Sequence, residues 1–259
     1  MPQLEPETTP VNFRNADELT YCELASLDKK RTVAVCAVSA LEVHGPHLPI
    51  GADFHQAVWM ADETGRRFAE RHHDWTVLRY PPLPVGTDEL PLPGSINTPP
   101  RVVYRAVLAL GEQLAKAGLR YIVITNAHGG PRHAAGLEAA CRRVSRRRGI
   151  AMISPSIRAL HKMVTGQRLD RVEEMIGRSL TEDERTGLLS GEHAGTWETA
   201  WYLAQRPDLV SPEYKNLAED HPPKIGFLVR LGERVGAFIE RRRGESSGPG
   251  VREVIDSLA

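Results

Sequence analysis

The run Tyr121-Ile122-Val123-Ile124-Thr125-Asn126-Ala127-His128-Gly129-Gly130 passes within ten residues from an apolar, β-branched stretch to a polar turn closed by two glycines. A short run of that kind reads as a strand buried on both faces, and the paired glycines permit a tight turn that aims His128 into a crevice. A helical pattern follows over Arg132–Arg148, and Ile150–Ser154 reads as the next strand. Upstream, Arg101–Gly118 carries Val103, Val107, Leu110 and Leu114 on one helical face, with Gly118 as its stop. Strand, loop and helix in this repeated order specify an α/β fold. Its form is a mainly parallel sheet covered by helices, with sites at the carboxyl ends of the strands.

The same grammar holds toward the N-terminus. Thr32–Ala40 (TVAVCAVSA) is a second buried strand, it opens into a loop over Leu41–Asp53, and Phe54–Glu70 has helical spacing. Trp75–Tyr80 reads as a further strand. The proline-rich segment Pro81–Pro100 reads as an irregular surface loop. Ile157–Ser190 is charged and helical in pattern, Glu192–Leu203 is amphipathic, and Gly244–Gly250 is a loop before a short C-terminal helix. With 259 residues, no repeat and no evident linker, one domain over 1–259 is expected.

Thirty-three basic and 33 acidic residues cancel, which removes the excess positive charge that a nucleic-acid surface needs. No window approaches the roughly 18 apolar residues of a membrane span, so neither nucleic acid nor membrane is an expected partner. Cys22, Cys36 and Cys141 are odd in number and far apart, which fits neither a disulfide framework nor a CxxC site. The first twenty residues lack the apolar core of a signal peptide, and a reducing cytoplasm is the expected compartment. No G-x-G-x-x-G or G-x-x-x-x-G-K-[ST] nucleotide fingerprint is present.

Chemistry concentrates in three clusters. Glu42, His44, His47, Asp53 and His55 lie in one short stretch after a strand, and carboxylates with imidazoles are the ligand types of zinc, manganese or iron. Asn126–Gly130 presents His128. His193 and Glu198 flank a helix start in His193–Thr199. Each has a plain reading as well: some of the five as ordinary surface groups, His128 as an ordinary turn residue, Glu198 as a solvated side chain.

Together their wording is specific. Leu41–Asp53 (LEVHGPHLPIGAD) resembles the E-x-H-G-P-H-L-P-x-x-x-D segment of the creatininase (creatinine amidohydrolase) family, and Asn126–Gly130 resembles that family's N-x-H-G-G turn. His193–Thr199 (HAGTWET) is similar to its H-A-G-x-x-E-T segment. Leu83–Thr98 is similar to its loop leading to Pro-Gly-Ser/Thr-Ile, and Gly248–Val251 to its C-terminal Gly-rich motif. The resemblance covers about Val33 to Val251.

It implies a three-layer αβα sandwich with two divalent metal ions, zinc, manganese or iron, hydrolysing C–N amide bonds of small, often cyclic substrates. By position it places Glu42 and His128 on one metal, His44 on the other, Asp53 between them and His193 at proton transfer. Creatininase itself carries a carboxylate two residues after the histidine matching His128, where this chain has Gly130, and the related branch has Asn where this chain has Pro131. That departure argues against creatinine as substrate and leaves the second metal short of a carboxylate, a place for which Glu198 is the candidate, either as ligand or as acid–base group. The N-x-H-G-G branch includes deformylases of formamidopyrimidine intermediates and a peptidase of peptide-derived cofactor assembly. A catalytically idle relative that binds a metal or ligand is the alternative. Self-association, as far as a hexamer, is also implied; Trp59, Trp201 and the proline-rich loop are candidate contacts, although the core is the more usual place for either tryptophan.

Overall fold

In a computed structural model the described residues are 12–217, apart from 157, 160, 161, 163, 164, 168 and 190–192. The C-terminal loop and helix expected from Gly244 onward, and Glu192, lie outside them. The elements in chain order are β1 (Phe13–Asn15), α1 (Tyr21–Ser26), β2 (Thr32–Ser39), α2 (Ala52–Arg71), β3 (Thr76–Arg79), β4 (Leu83–Pro84) and α3 (Pro100–Lys116). They continue with β5 (Tyr121–Thr125), α4 (Pro131–Arg148), β6 (Ala151–Ile153), α5 (Leu169–Ile176), α6 (Glu182–Leu189) and α7 (Thr196–Gln205).

Every recorded strand pairing is parallel, in the order β1-β3-β2-β5-β6, with β4 beside the end of β2. All eight residues of β2 are buried, which explains why its sequence is a continuous apolar run with no polar alternation. Its side chains divide by parity. Ala34, Cys36 and Val38 pack with Val103 and Val107 of α3 and Leu137 and Ala140 of α4. Val33 and Val35 meet Phe68 and Ala69 of α2, while Ala37 meets Ala57 and Ala61. Helices thus cover both faces, the αβα layering expected from the sequence.

Small residues bring α2 close to the sheet. At Gly65 a Cβ would lie 2.4 Å from the Phe13 ring, so only glycine fits the approach. Helix α4 has Pro131 at its first position and Gly149 beyond its end at φ 63°, the proline-in, glycine-out asymmetry of a well-delimited helix. Three arginines, Arg146, Arg147 and Arg148, fill its last turn, where the helix dipole favours positive charge.

Topology places the crevice. From β2 the chain crosses over α2 to β3 on one side and then returns over α3 to β5 on the other side of β2. The loops leaving β2 and β5 therefore diverge at a switch point, the position where open parallel sheets bind ligands.

The structure departs from the sequence reading in three places that bear on the site and the sheet. Helix α2 begins at Ala52, so Asp53 stands in its first turn and not in the loop. The segment Pro81–Pro100 is not wholly irregular, since β4 pairs with Val38 and Ser39 of β2. Strand β1 was not expected at all. Among the described residues no helix is long and apolar enough to cross a membrane.

Candidate metal centre

The loop after β2, the first turn of α2, the turn after β5 and the start of α7 converge at the switch point. Glu42, His44, Asp53 and His128 are all buried there, at 3%, 0%, 2% and 4% exposure. Among the described residues three groups of potential ligand atoms form, each with its atoms within 4.8 Å of one another: a group of Glu42, His44 and His193, and the pair Glu42–Asp53–His128 and His44–Asp53–Glu198. Asp53 is common to the last two. Its Oδ2 lies 3.0 Å from His128 Nδ1 and its Oδ1 lies 3.4 Å from His44 Nε2. Glu42 Oε2 is 3.0 Å from His128 Nδ1, and Glu198 Oε1 is 3.4 Å from His44 Nε2.

Main-chain groups set each ring. His128 donates from Nε2 to the Thr87 carbonyl at 3.0 Å, which turns Nδ1 toward the two carboxylates. His44 donates from Nδ1 to the Glu42 carbonyl at 2.9 Å, which turns Nε2 inward. The carboxylates are held as well: the Leu90 amide donates to Glu42 Oε1 at 2.6 Å and the Ala194 amide to Glu198 Oε2 at 2.6 Å. Asn126 locks the turn, donating from Nδ2 to the His128 carbonyl at 2.8 Å and accepting from the His128 amide at 3.0 Å.

Three carboxylates in one largely buried cluster demand positive charge, because burying unpaired anions is costly. In the protein alone, protons on the histidines fill that role. Burial works against a charged His44, but Asp53 and Glu198 overcome it and push its pKa up to about 11. His128 is likewise opposed by burial and raised to about 10 by Asp53 and Glu42. Burial alone would raise the pKa of Asp53, yet the two imidazoles hold it well below the carboxylate range. Glu42 Oε2 and His44 Nε2 are buried with no hydrogen-bond partner. Inward-facing, orphaned carboxylate and imidazole atoms are the donor set that fits divalent cations.

His193 stands at the open side, with its side chain 36% exposed. It donates from Nε2 to the Val43 carbonyl at 2.7 Å, and its ring lies 4.2 Å from that of His44. Its Nδ1 faces Glu42 Oε2 at 3.9 Å, so it also falls within a potential ligand group with Glu42 and His44.

The other two histidines of the first cluster turn away. His47 Nε2 pairs with the Thr199 hydroxyl at 2.8 Å and His55 Nδ1 with the Tyr202 hydroxyl at 2.8 Å, tying the ligand loop and α2 to α7. Three groups outside the sequence clusters also border the site: the Thr87 carbonyl and two buried neighbours, His133 and Glu89. His133 packs edge-on to His128 with ring centroids 5.2 Å apart, and burial pushes its pKa down to about 4, which keeps it neutral. Glu89 is buried with neither carboxylate oxygen partnered, and burial raises its pKa. A main-chain carbonyl leaves no signal in a sequence, whereas Glu89 and His133 could have been singled out as polar residues beside the clusters.

Gly130 explains its own identity. A Cβ there would lie 2.4 Å from His128 Nε2 and 2.7 Å from the Thr87 carbonyl oxygen, so no carboxylate can stand at this position while that hydrogen bond exists.

The family model for creatinine amidohydrolase (creatininase) matches residues 17–247. Among solved structures the chain is similar to a glutamate-to-glutamine mutant creatininase of zinc–zinc type, with TM-score 0.57, 21% identity and coverage of 81% of this chain and 78% of that one. Manganese creatininase gives TM-score 0.57 and 25% identity over the same shares. A putative creatinine amidohydrolase from Bacteroides fragilis gives TM-score 0.54 and 17% identity, covering 79% of this chain and 71% of that one. No curated protein sequence matches. With most of its length matched by one family model and its sheet built as in creatininase structures, the chain belongs to the creatinine amidohydrolase family.

Proposed function

We propose that the chain is a metal-dependent amidohydrolase that cleaves a C–N amide bond in a small molecule, a lactam or other cyclic amide, a formamide or a small peptide. The observation that carries the reading is Asp53, whose two oxygens face two separate ligand groups. Two divalent cations bound there would supply Lewis acidity and water activated near neutral pH. Zinc and manganese are both found in creatininase structures that this fold resembles.

The chain's own groups account for the rest. Glu42 and His128 would hold one cation and His44 with Glu198 the other, with Asp53 shared. In hydrolysis the water oxygen bonds to the carbonyl carbon, the C–N bond breaks, and the nitrogen takes a proton. His193 is the proton donor in this reading: with Nε2 committed to Val43, its Nδ1 faces the cluster from the exposed side.

Creatinine is disfavoured as the substrate by Gly130, and the N-x-H-G-G branch is the better match. Glu198 answers the argument for an idle relative, because it brings a carboxylate to His44 that Gly130 cannot. The reading includes one hydrolase domain over 1–259, a cytoplasmic location and self-association up to a hexamer, which light scattering would show as a mass well above 28.7 kDa.

The test combines metal analysis of the purified protein with turnover on formamides, lactams and small peptides. Two cations per chain and hydrolysis of one class are expected. Asp53→Asn should abolish turnover and leave less bound metal than Glu198→Gln, since its loss affects both groups. Full metal content in Asp53→Asn would remove the bridge from the reading.

A further inference from the structure

The segment Thr87–Leu90 touches the candidate centre at two points and the fold at a third. Its Thr87 carbonyl accepts from His128 Nε2, and its Leu90 amide donates to Glu42 Oε1. Between them Asp88 sits at φ 79°, a left-handed conformation rare outside glycine and better tolerated by Asp and Asn than by most residues. The Asp88 carboxylate accepts from the Arg132 amide at 2.5 Å and from Arg132 Nε. Arg132 is the second residue of α4, where unpaired amides and the helix dipole favour an anion.

The attachments are one-sided. Glu42 and His128 belong to the same ligand group. His44 and Glu198 are oriented by the Glu42 carbonyl and the Ala194 amide, neither of which lies on this segment. Close packing completes the strap: a Cβ on Gly130 would meet the Thr87 carbonyl oxygen at 2.7 Å and Asp88 Cβ at 2.9 Å. The turn that carries His128 and the strap are therefore pressed together only because residue 130 has no side chain.

We infer that Thr87–Leu90 is a strap that orients Glu42 and His128 for one of the two cations, and that Asp88, its anchor on α4, is a positioning residue for that cation alone. The inference rests on the two-cation reading above. It adds an asymmetry that the reading does not require: one half of the centre depends on a residue that touches neither cation, while the other half does not. Partners that orient ligands of this kind typically change metal affinity by roughly 10-fold to 100-fold when removed.

The experiment is titration of the metal-free full chain with Mn²⁺, followed by calorimetry and by electron paramagnetic resonance, which separates coupled from isolated ions. Asp88→Gly removes the carboxylate and relieves the left-handed backbone, so the anchor is lost without added strain. One of the two binding events is expected to weaken by roughly 10-fold to 100-fold, with the other unchanged and an isolated-ion signal appearing at one equivalent. Asp88→Asn, which tolerates the same φ and can still accept from the Arg132 amide, is expected to restore most of that affinity. Equal weakening of both events, or no change in either, overturns the strap. A wild-type protein that binds fewer than two ions overturns the two-cation reading instead, before the variant is considered.

Discussion

Three imidazoles at the switch point share one arrangement. His44, His128 and His193 each spend one ring nitrogen on a main-chain carbonyl, those of Glu42, Thr87 and Val43, and turn the other toward a carboxylate. A hydrogen bond to a fixed carbonyl sets the tautomer and the ring plane together, so the inward nitrogen is presented with little freedom left to lose. The three differ in exposure. His44 and His128 are buried among acidic groups, whereas His193 is exposed to solvent. His193→Asn should lower turnover by roughly 10²-fold to 10⁴-fold, the usual worth of a positioned acid or base, and leave both metals bound. Metal analysis beside the rate decides the role: loss of one ion with the rate would make His193 a ligand through its Nδ1, and full activity with both ions would pass the proton transfer to Glu198.

At the level of elements, β2 and β5 were legible because burial on both faces leaves a continuous apolar run, and the polar residues that end such a run lie at the sheet's carboxyl edge. Glu42, His44 and His128 could be located for that reason. The sequence puts Asp53 at the end of the loop, whereas it stands in the first turn of α2, because Gly51 caps that helix without the side-chain hydrogen bond that marks a start most clearly. In the first turn its carboxylate gains from the helix dipole, which suits an anion that must stay charged under burial. His47 and His55 have the same composition and spacing as ligands; only the Thr199 and Tyr202 hydroxyls on α7, about 150 residues away in sequence, draw them off. Strand β1 is three residues at the sheet edge, too short for a pattern. Strand β4 is masked by Pro84, which is accommodated at a two-residue strand end where few ladder bonds are needed. The strap was invisible as a device, since its contacts run through a carbonyl and an amide and any residue type carries both.

For the whole molecule, protons and cations compete for the same cluster, and the competition sets how stability depends on pH. In the metal-free protein the His44 and His128 pKa values are raised above the ordinary 6.5 by their carboxylate partners against the opposing effect of burial. The stability they contribute is fully present below about pH 6.5 and declines as pH rises toward their folded values. Asp53 is depressed, so its contribution is present above its ordinary 3.8 and is lost as pH falls below it. His133, held neutral by burial, must be protonated on unfolding as pH falls from 6.5 toward 4, so it takes stability away over that range, and the metal-free chain should be most stable near pH 6.5. Cation binding has the opposite sign, because it requires neutral imidazoles and strengthens as protons leave. A cation at 100 times its Kd adds about 2.7 kcal/mol, or about 5 to 10 °C in Tm for a chain of this size. The gap in Tm between metal-loaded and chelator-treated protein should then widen from pH 6 to pH 9, as the metal-free form weakens while the loaded form, with neutral imidazoles in both its folded and unfolded states, holds. Paired thermal melts across that range measure it. A gap that stays constant or narrows would mean that the cations do not displace protons from His44 and His128, and the ligand assignment of both histidines would fall together.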